Sequence, residues 1–257
     1  LAVKILSDIH GEYDALVEQL KRDDIAVLLG DYLNLIDFRT QGGILAKVYS
    51  QEEVQKALDA TAGDDRELAR RRIRAVIGGS AEKNKQIRDL AEESYEEFFS
   101  CLPCKCFMLY GNTDGPDVMD QFAGGKNELV ESGVVMIEGE RFGMVSGAPR
   151  GPWSVGLPGE MKTERYDAHV TSLGPVDVLC THYPPAVGRL TWDTVANRDE
   201  AGSEALLEYI KEHNPSRHYF GHVHNPKVST LMFGGTRMIN AGLFKEHKTA
   251  LIHPAPA

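Results

Sequence analysis

Short apolar strands that run straight into clusters of polar, ligand-type residues are the feature that most limits what this chain can become. Residues 2–7 lead into Asp8-Ile9-His10-Gly11, and residues 25–29 lead into Gly30-Asp31. Residues 106–110 lead into Gly111-Asn112-Thr113-Asp114, residues 176–180 into Thr181-His182-Tyr183-Pro184, and residues 218–220 into Gly221-His222-Val223-His224. Brief apolar, β-branched runs of this kind read as buried strands. In α/β folds the carboxyl ends of strands lie along one edge of a sheet, where loops converge on a ligand. Five such endings can meet at one place.

Between the first two strands, Ala15, Leu16, Gln19 and Leu20 fall at helical spacing, which predicts a crossover helix over 13–21 and a doubly wound N-terminal half. From Glu131 onward the strand-like segments are 134–137, 141–146, 228–233, 237–240 and 249–253. Glu138-Gly139-Glu140 and Gly234-Gly235 supply hairpin signals between them. A second, more antiparallel sheet is expected there. Residues 38–101 interrupt the pattern with a long, charged, helical stretch in which Ile87, Leu90, Ala91, Tyr95, Phe98 and Phe99 share one face. The reading is one domain over 1–257 with a helical insertion at about 38–101, placed to act as a cap. Arg66, Arg70, Arg71, Arg72 and Arg74 in that stretch either face water or reach a substrate phosphate.

A net charge of −10 argues against wrapping an extended nucleic acid, which requires neutralising many phosphates at once. A small anionic substrate stays compatible with that charge if metal ions supply the local positive potential. No run approaches the length of a membrane-spanning helix, and the chain enters its first strand without the charged and apolar regions of a signal peptide. The expectation is a cytoplasmic protein with no membrane partner. Its oligomeric state is left open. Cys101, Cys104 and Cys106 crowd together, but no fourth zinc ligand lies near them in sequence, so reduced thiols are expected.

The polar endings carry the chemistry. Asp8 and His10, one residue apart beyond a strand, can grip one ion through an oxygen and a nitrogen, and His222 and His224 repeat that spacing. Asp31, Asn112 and His182 add further ligand types at equivalent places. Such a set exceeds what one ion with open positions uses, and two divalent ions sharing a carboxylate fit it. Mixed nitrogen and oxygen donors favour Mn, Fe or Zn over Mg or Ca.

In this order, Asp8-x-His10, Gly30-Asp31, Gly111-Asn112, His182 and Gly221-His222-x-His224 resemble the motifs of the calcineurin-like metallophosphoesterases, over 1–244 apart from the helical stretch. The resemblance implies a fold of mixed α/β (α+β) class, a four-layer αββα sandwich with two mixed central sheets. It further implies that Asp8, His10, Asp31 and His224 hold one metal, that Asp31, Asn112, His182 and His222 hold the other, and that Asp31 bridges them. A metal-bridging hydroxide would then attack the phosphorus of a small phosphate ester.

Two departures from the family pattern shape the expected activity. Many members carry a His after Gly-Asn as a proton donor to the leaving group, and here that position is Thr113. Threonine cannot act as a general acid near neutral pH. Members with another residue there resemble small phosphodiesterases, so a phosphodiester substrate is expected. Other donors considered are His169, the insertion, and Asp114 if burial or a second carboxylate raises its proton affinity. The second departure follows Asp31, where the phosphate-binding Arg of protein phosphatases is replaced within Tyr32-Leu33-Asn34-Leu35, and Arg150 is a candidate substitute. The alternatives are a phosphomonoesterase, a nucleotide pyrophosphatase, or a non-catalytic interaction module on the same fold. Asp31, Asn112, Thr113, Asp114 and His182 are the residues expected around the reacting groups.

Overall fold

In the computed structural model the described residues are 1–36, 42–61, 71, 79–151, 154 and 156–255. Fifteen strands are described: β1 (Val3–Leu6), β2 (Ile25–Leu28), β3 (Lys105–Met108), β4 (Asn127–Leu129), β5 (Ser132–Ile137), β6 (Glu140–Val145), β7 (Ala148–Pro149), β8 (Glu160–Met161), β9 (Val178–Thr181), β10 (Trp192–Asp193), β11 (Arg198–Asp199), β12 (Arg217–Phe220), β13 (Thr230–Phe233), β14 (Thr236–Asn240) and β15 (Leu251–His253). One large sheet has the order β15-β1-β2-β3-β4 and the other the order β13-β14-β12-β9-β6-β5. Both are mixed. In the first, β1 to β4 are parallel and β15 is antiparallel at the edge.

The second sheet is the more antiparallel of the two, as expected, but only at its edges. Its four inner strands, β14, β12, β9 and β6, are parallel, and antiparallel pairing is confined to the edge pairs β13–β14 and β5–β6. The reason lies in the connections, because helices Thr163–Thr171 and Glu204–His213 carry the chain from β6 to β9 and from β9 to β12. The hairpin signals are correct but local. Ile137 pairs with Glu140 across a two-residue turn in which Glu138 (φ 49°) and Gly139 (φ 85°) are both left-handed, the twist that suits a tight hairpin.

Alternation along each strand separates two cores. Val3, Ile5, Val27, Phe107, Phe142, Met144, Val178, Cys180 and Tyr219 form one buried cluster, made of the faces that the two sheets turn towards each other. The alternate residues Leu6, Ala26, Leu28, Met108, Leu179 and Phe220 join a second cluster with the helix residues Leu16, Tyr95, Phe98, Tyr166, Val170, Leu206 and Ile210. Helices therefore cover the outer faces. A polar bridge also ties the sheets together: His253 in β15 contacts Glu140 of β6 at 2.8 Å and Tyr219 of β12 at 3.0 Å.

Within the helical stretch 38–101, the described helices are Ile44–Val48, Gln51–Thr61 and Ala81–Cys101. Ser80 caps the last by accepting from the Lys83 N–H at 3.3 Å. Its apolar face buries Ala91, Tyr95, Phe98 and Phe99, and Phe98 stacks on Tyr32 with ring centroids 4.4 Å apart. The opposite face carries exposed ion pairs, Lys85–Asp89 at 2.6 Å and Arg88–Glu92 at 2.9 Å. This helix leads directly into β3 and joins the parallel neighbours β2 and β3. Arg66, Arg70, Arg72 and Arg74 lie outside the described residues, and Arg71 is exposed. Cys101, Cys104 and Cys106 are free thiols, and among the described residues none joins a group able to hold a metal.

Candidate metal centre

The expected ligands sit just past the carboxyl ends of β1, β2, β3, β9 and β12, and backbone hydrogen bonds join those loops beyond the strands. The Asp8 N–H donates to Gly30 O at 3.0 Å, His10 N–H to Asp31 O at 3.0 Å, and Gly221 N–H to His182 O at 3.0 Å. This close approach forces unusual backbone. Asp8 (φ 56°), His10 (φ 45°), Asp31 (φ 57°) and His222 (φ 68°) are all left-handed, at a cost of roughly 1–3 kcal/mol each. Strain of that kind persists only where the surroundings over-determine it. Two glycines show how tight the loops are: a Cβ on Gly111 would lie 2.1 Å from Asp31 Oδ1, and one on Gly221 would lie 2.4 Å from Asp8 Oδ2.

The side chains converge in two groups. Asp8, His10 and His224 form one, and Asp8, Asp31 and His182 form the other, with ligand atoms in each group within 4.8 Å of one another. In the first, Asp8 Oδ1 lies 3.2 Å from His224 Nε2, and His10 Nε2 lies 3.2 Å from the same nitrogen. Two nitrogens bound tetrahedrally to one zinc-like ion sit roughly 3.3 Å apart. In the second, His182 Nε2 lies 3.6 Å from Asp31 Oδ2 and 3.0 Å from Asn112 Oδ1. Asn112 Oδ1 also contacts His222 Nδ1 at 2.8 Å, which brings the last two candidates in.

The rings are set for metal binding by their far nitrogens. His10 Nδ1 is held by Leu33 O at 3.1 Å and His182 Nδ1 by Leu29 O at 3.0 Å. A carbonyl only accepts, so each Nδ1 carries the proton and each Nε2 turns a lone pair towards the cluster. Burial pushes His222 down to about 3, and burial and the neighbouring His224 lower His10. Burial opposes charge on Asp8, yet its hydrogen bond from His224 and the neighbouring histidines hold it below the usual carboxylate range. Burial opposes charge on His224 too, yet its hydrogen bond to Asp8 and the Asp8 charge raise it, so a cation bound between them would displace that proton. The lowered His10 and His222 are already suited to ligation. The residues present fit a divalent cation.

Other expected residues surround these ligand candidates. Thr113 donates to Asp31 Oδ1 twice, from N–H at 2.9 Å and from Oγ1 at 2.8 Å. Asp114, expected among the reacting groups, lies beneath them, fully buried. Its Oδ2 accepts from Asp31 N–H (2.7 Å) and Gly111 N–H (2.8 Å), and its Oδ1 from Tyr32 N–H (3.0 Å) and Tyr95 O–H (3.2 Å). Burial, then the charge of Asp31, pushes it up to about 6, but its acceptor sites are taken. His169 is not brought to the cluster: its carbonyl accepts from Ser132 of edge strand β5, two strands removed from β9. Arg150 is exposed on a loop whose Gly159 N–H donates to Asn112 O at 3.2 Å.

Sequence reasoning missed Tyr183, whose ring centroid lies 4.8 Å from that of His222 and whose hydroxyl donates to Glu200 O at 2.7 Å. It also missed His218. Thr181 gives its hydroxyl proton to Tyr183 O at 2.6 Å, so His218 Nε2 donates to Thr181 Oγ1 at 2.8 Å, fixing the chain on both sides of His182. Burial pushes His218 down to about 3. The unfolded chain takes a proton below about 6.5 that the folded chain refuses, so this residue makes stability fall as pH drops from that value towards 3. The slope from this one group approaches about 1.4 kcal/mol per pH unit. Urea unfolding of the metal-free protein at pH 5 and pH 7 should show a smaller difference in His218→Leu than in the parent. Equal differences would remove this group from the acid response.

A two-sheet α/β sandwich with such a donor cluster at its strand ends presents a candidate metal-binding site. The chain belongs to the calcineurin-like phosphoesterase family, whose model matches residues 1–226 and so includes every ligand candidate. Membership implies metal-dependent hydrolysis of a phosphoester. Among solved structures, one at 20% identity is similar with a TM-score of 0.60, covering 99% of this chain and 98% of that one. The protein TT1561 of Thermus thermophilus, at 13% identity, is similar with a TM-score of 0.56 over 99% of this chain and 98% of its own. Both likenesses concern the fold alone. No curated protein matches the chain. Among the described residues no helix is long and apolar enough to cross a membrane.

Proposed function

We propose that this protein is a phosphodiesterase acting on a small substrate, with two divalent ions (Mn, Fe or Zn) held by Asp8, His10, Asp31, Asn112, His182, His222 and His224. The observation that carries the diester preference is Thr113, which stands in the usual donor position and spends its hydroxyl on Asp31 Oδ1. When bound, such ions generate a nucleophile from water and offset the phosphoryl charge.

The chain's own residues hold that chemistry in place. Leu33 and Leu29 carbonyls orient His10 and His182, while Thr113 occupies one oxygen of Asp31 and leaves Oδ2 to face His182. In hydrolysis the water oxygen bonds to phosphorus, the P–O ester bond breaks, and the departing alcohol takes a proton. With Thr113 turned away from that role, the proton comes from solvent, and good leaving groups are favoured. The helices within 38–101 are proposed as a cap on one side of a single domain.

With Mn²⁺ loaded, turnover of bis(p-nitrophenyl) phosphate is expected to exceed that of p-nitrophenyl phosphate by at least about tenfold. Thr113→His should raise turnover of esters with poor leaving groups, such as phenyl phosphate, far more than that of the p-nitrophenyl esters. A faster monoester reaction in the parent, or no diester turnover by fully metallated protein, would rule the reading out.

A further inference from the structure

A cleft of about 620 Å³ opens beside His224 and is lined by Thr194, Asn225, Lys227, Ser229, Thr230 and His247, among others. That volume suits a small-molecule site, for which roughly 300–1,000 Å³ is usual. Its composition departs from the rest of the chain. Acidic residues outnumber Lys and Arg by 38 to 28 overall, yet among the described residues no Asp or Glu lines this cleft, and neither does any Phe, Tyr or Trp. Lys227 is exposed on its wall and enters no ion pair among the described residues.

The walls are also fixed in place. Asn225 O accepts from Thr194 N–H at 2.9 Å and Thr194 Oγ1 at 3.0 Å, and Asn225 N–H donates to Asp193 Oδ2 at 3.2 Å. The Lys227 N–H donates to Trp192 O at 3.1 Å, and Asn240 N–H to Ser229 O at 2.8 Å. These bonds occupy backbone groups and leave the side chains of Asn225, Lys227 and Ser229 to the cleft.

We infer that this cleft receives one alcohol portion of the diester, and that this portion is a hydroxylated group bearing its own negative charge, such as a phosphorylated polyol. The inference rests on the diester reading, since His224 makes the cleft continuous with the metal centre. Lys227 meets the second anionic group, Asn225 and Ser229 meet hydroxyls, and Thr194 Oγ1, whose proton goes to Asn225 O, can only accept from one. Among the described lining residues no Phe, Tyr or Trp offers a flat aryl group or a nucleobase a large stacking surface.

The test is competition against bis(p-nitrophenyl) phosphate turnover by metal-loaded protein, with glycerol 3-phosphate and inorganic phosphate as inhibitors. Inorganic phosphate reports the metals alone. In Lys227→Glu the ratio of the glycerol 3-phosphate inhibition constant to that of phosphate should rise about tenfold or more, while Lys227→Arg keeps the parent ratio. Unchanged ratios in a Lys227→Glu protein with parental melting temperature would overturn the cleft assignment. If the parent shows no diester turnover, the diester reading fails on its own. Calorimetric dissociation constants for the same two compounds then give the same ratio and test Lys227 in the same way.

Discussion

Asp31→Asn is expected to lower kcat/KM by at least about three orders of magnitude and to leave the metal-free protein as stable as the parent or more so. The replacement keeps the shape. Asn can still accept at the Oδ1 position from Thr113 N–H and Oγ1, but it puts an amide where Oδ2 now faces His182 at 3.6 Å. A donor there repels a cation and removes the charge that two ions would share, so bound metal should fall from two per chain to at most one. Stability moves the other way. Asp8, Asp31 and Asp114 are buried close together, and after burial itself the charge of Asp31 is the next cause of the raised Asp114 pKa. Without cations, that repulsion is a cost of carrying a functional site. Metal analysis, diester kinetics and thermal melting in EDTA read the three effects separately. An Asp31→Asn protein that keeps two metals and turns over within tenfold of the parent would defeat this account.

The parts of this site that were legible in the sequence are those that depend on residue type and chain order. The strands ending at Asp8, Asp31, Asn112, His182 and His222 were readable because buried strands are apolar and their polar successors stand out. Nothing in residue type marks the carbonyls of Leu29 and Leu33, since every residue has one, yet they set the faces of His182 and His10. Left-handed backbone usually announces itself through glycine, whereas here Asp8, His10, Asp31 and His222 adopt it themselves under tertiary constraint. Thr113 was legible as the loss of a proton donor but not as a support for Asp31, 82 positions away in the chain. The inner strands of the second sheet escaped for a related reason. A hairpin is written in two adjacent residues, but parallel pairing of β9 with β12 depends on how an intervening helix packs.

Asp114→Ala should do the reverse of Asp31→Asn, by unfolding the support from below. The lost carboxylate is the common acceptor for Asp31 N–H, Gly111 N–H, Tyr32 N–H and the Tyr95 hydroxyl, all in a buried space. Each buried donor left without a partner costs about 1–3 kcal/mol. Partial relaxation leaves a loss on the order of 4 kcal/mol, or roughly 10 °C in melting temperature for a chain of this size. Activity should fall with it, because the Asp31 and Asn112 loops lose the group that holds them at a common height. Asp114→Asn offers little rescue: each oxygen accepts from at least one backbone N–H, so whichever one becomes an amide meets an N–H head on. Tyr95→Phe removes a single hydroxyl that donates to Asp114 and accepts from Gly115 N–H at 2.8 Å, so its effect should be smaller, near 1 kcal/mol. Tyr95 lies on helix Ala81–Cys101, so this small change also reads whether that helix steadies the metal loops. A graded series, with Ala and Asn both severe and Phe mild in melting temperature and in metal affinity, is the expected pattern. A parental melting temperature in Asp114→Ala would mean that the four donors find other partners and that Asp114 does not hold the site together.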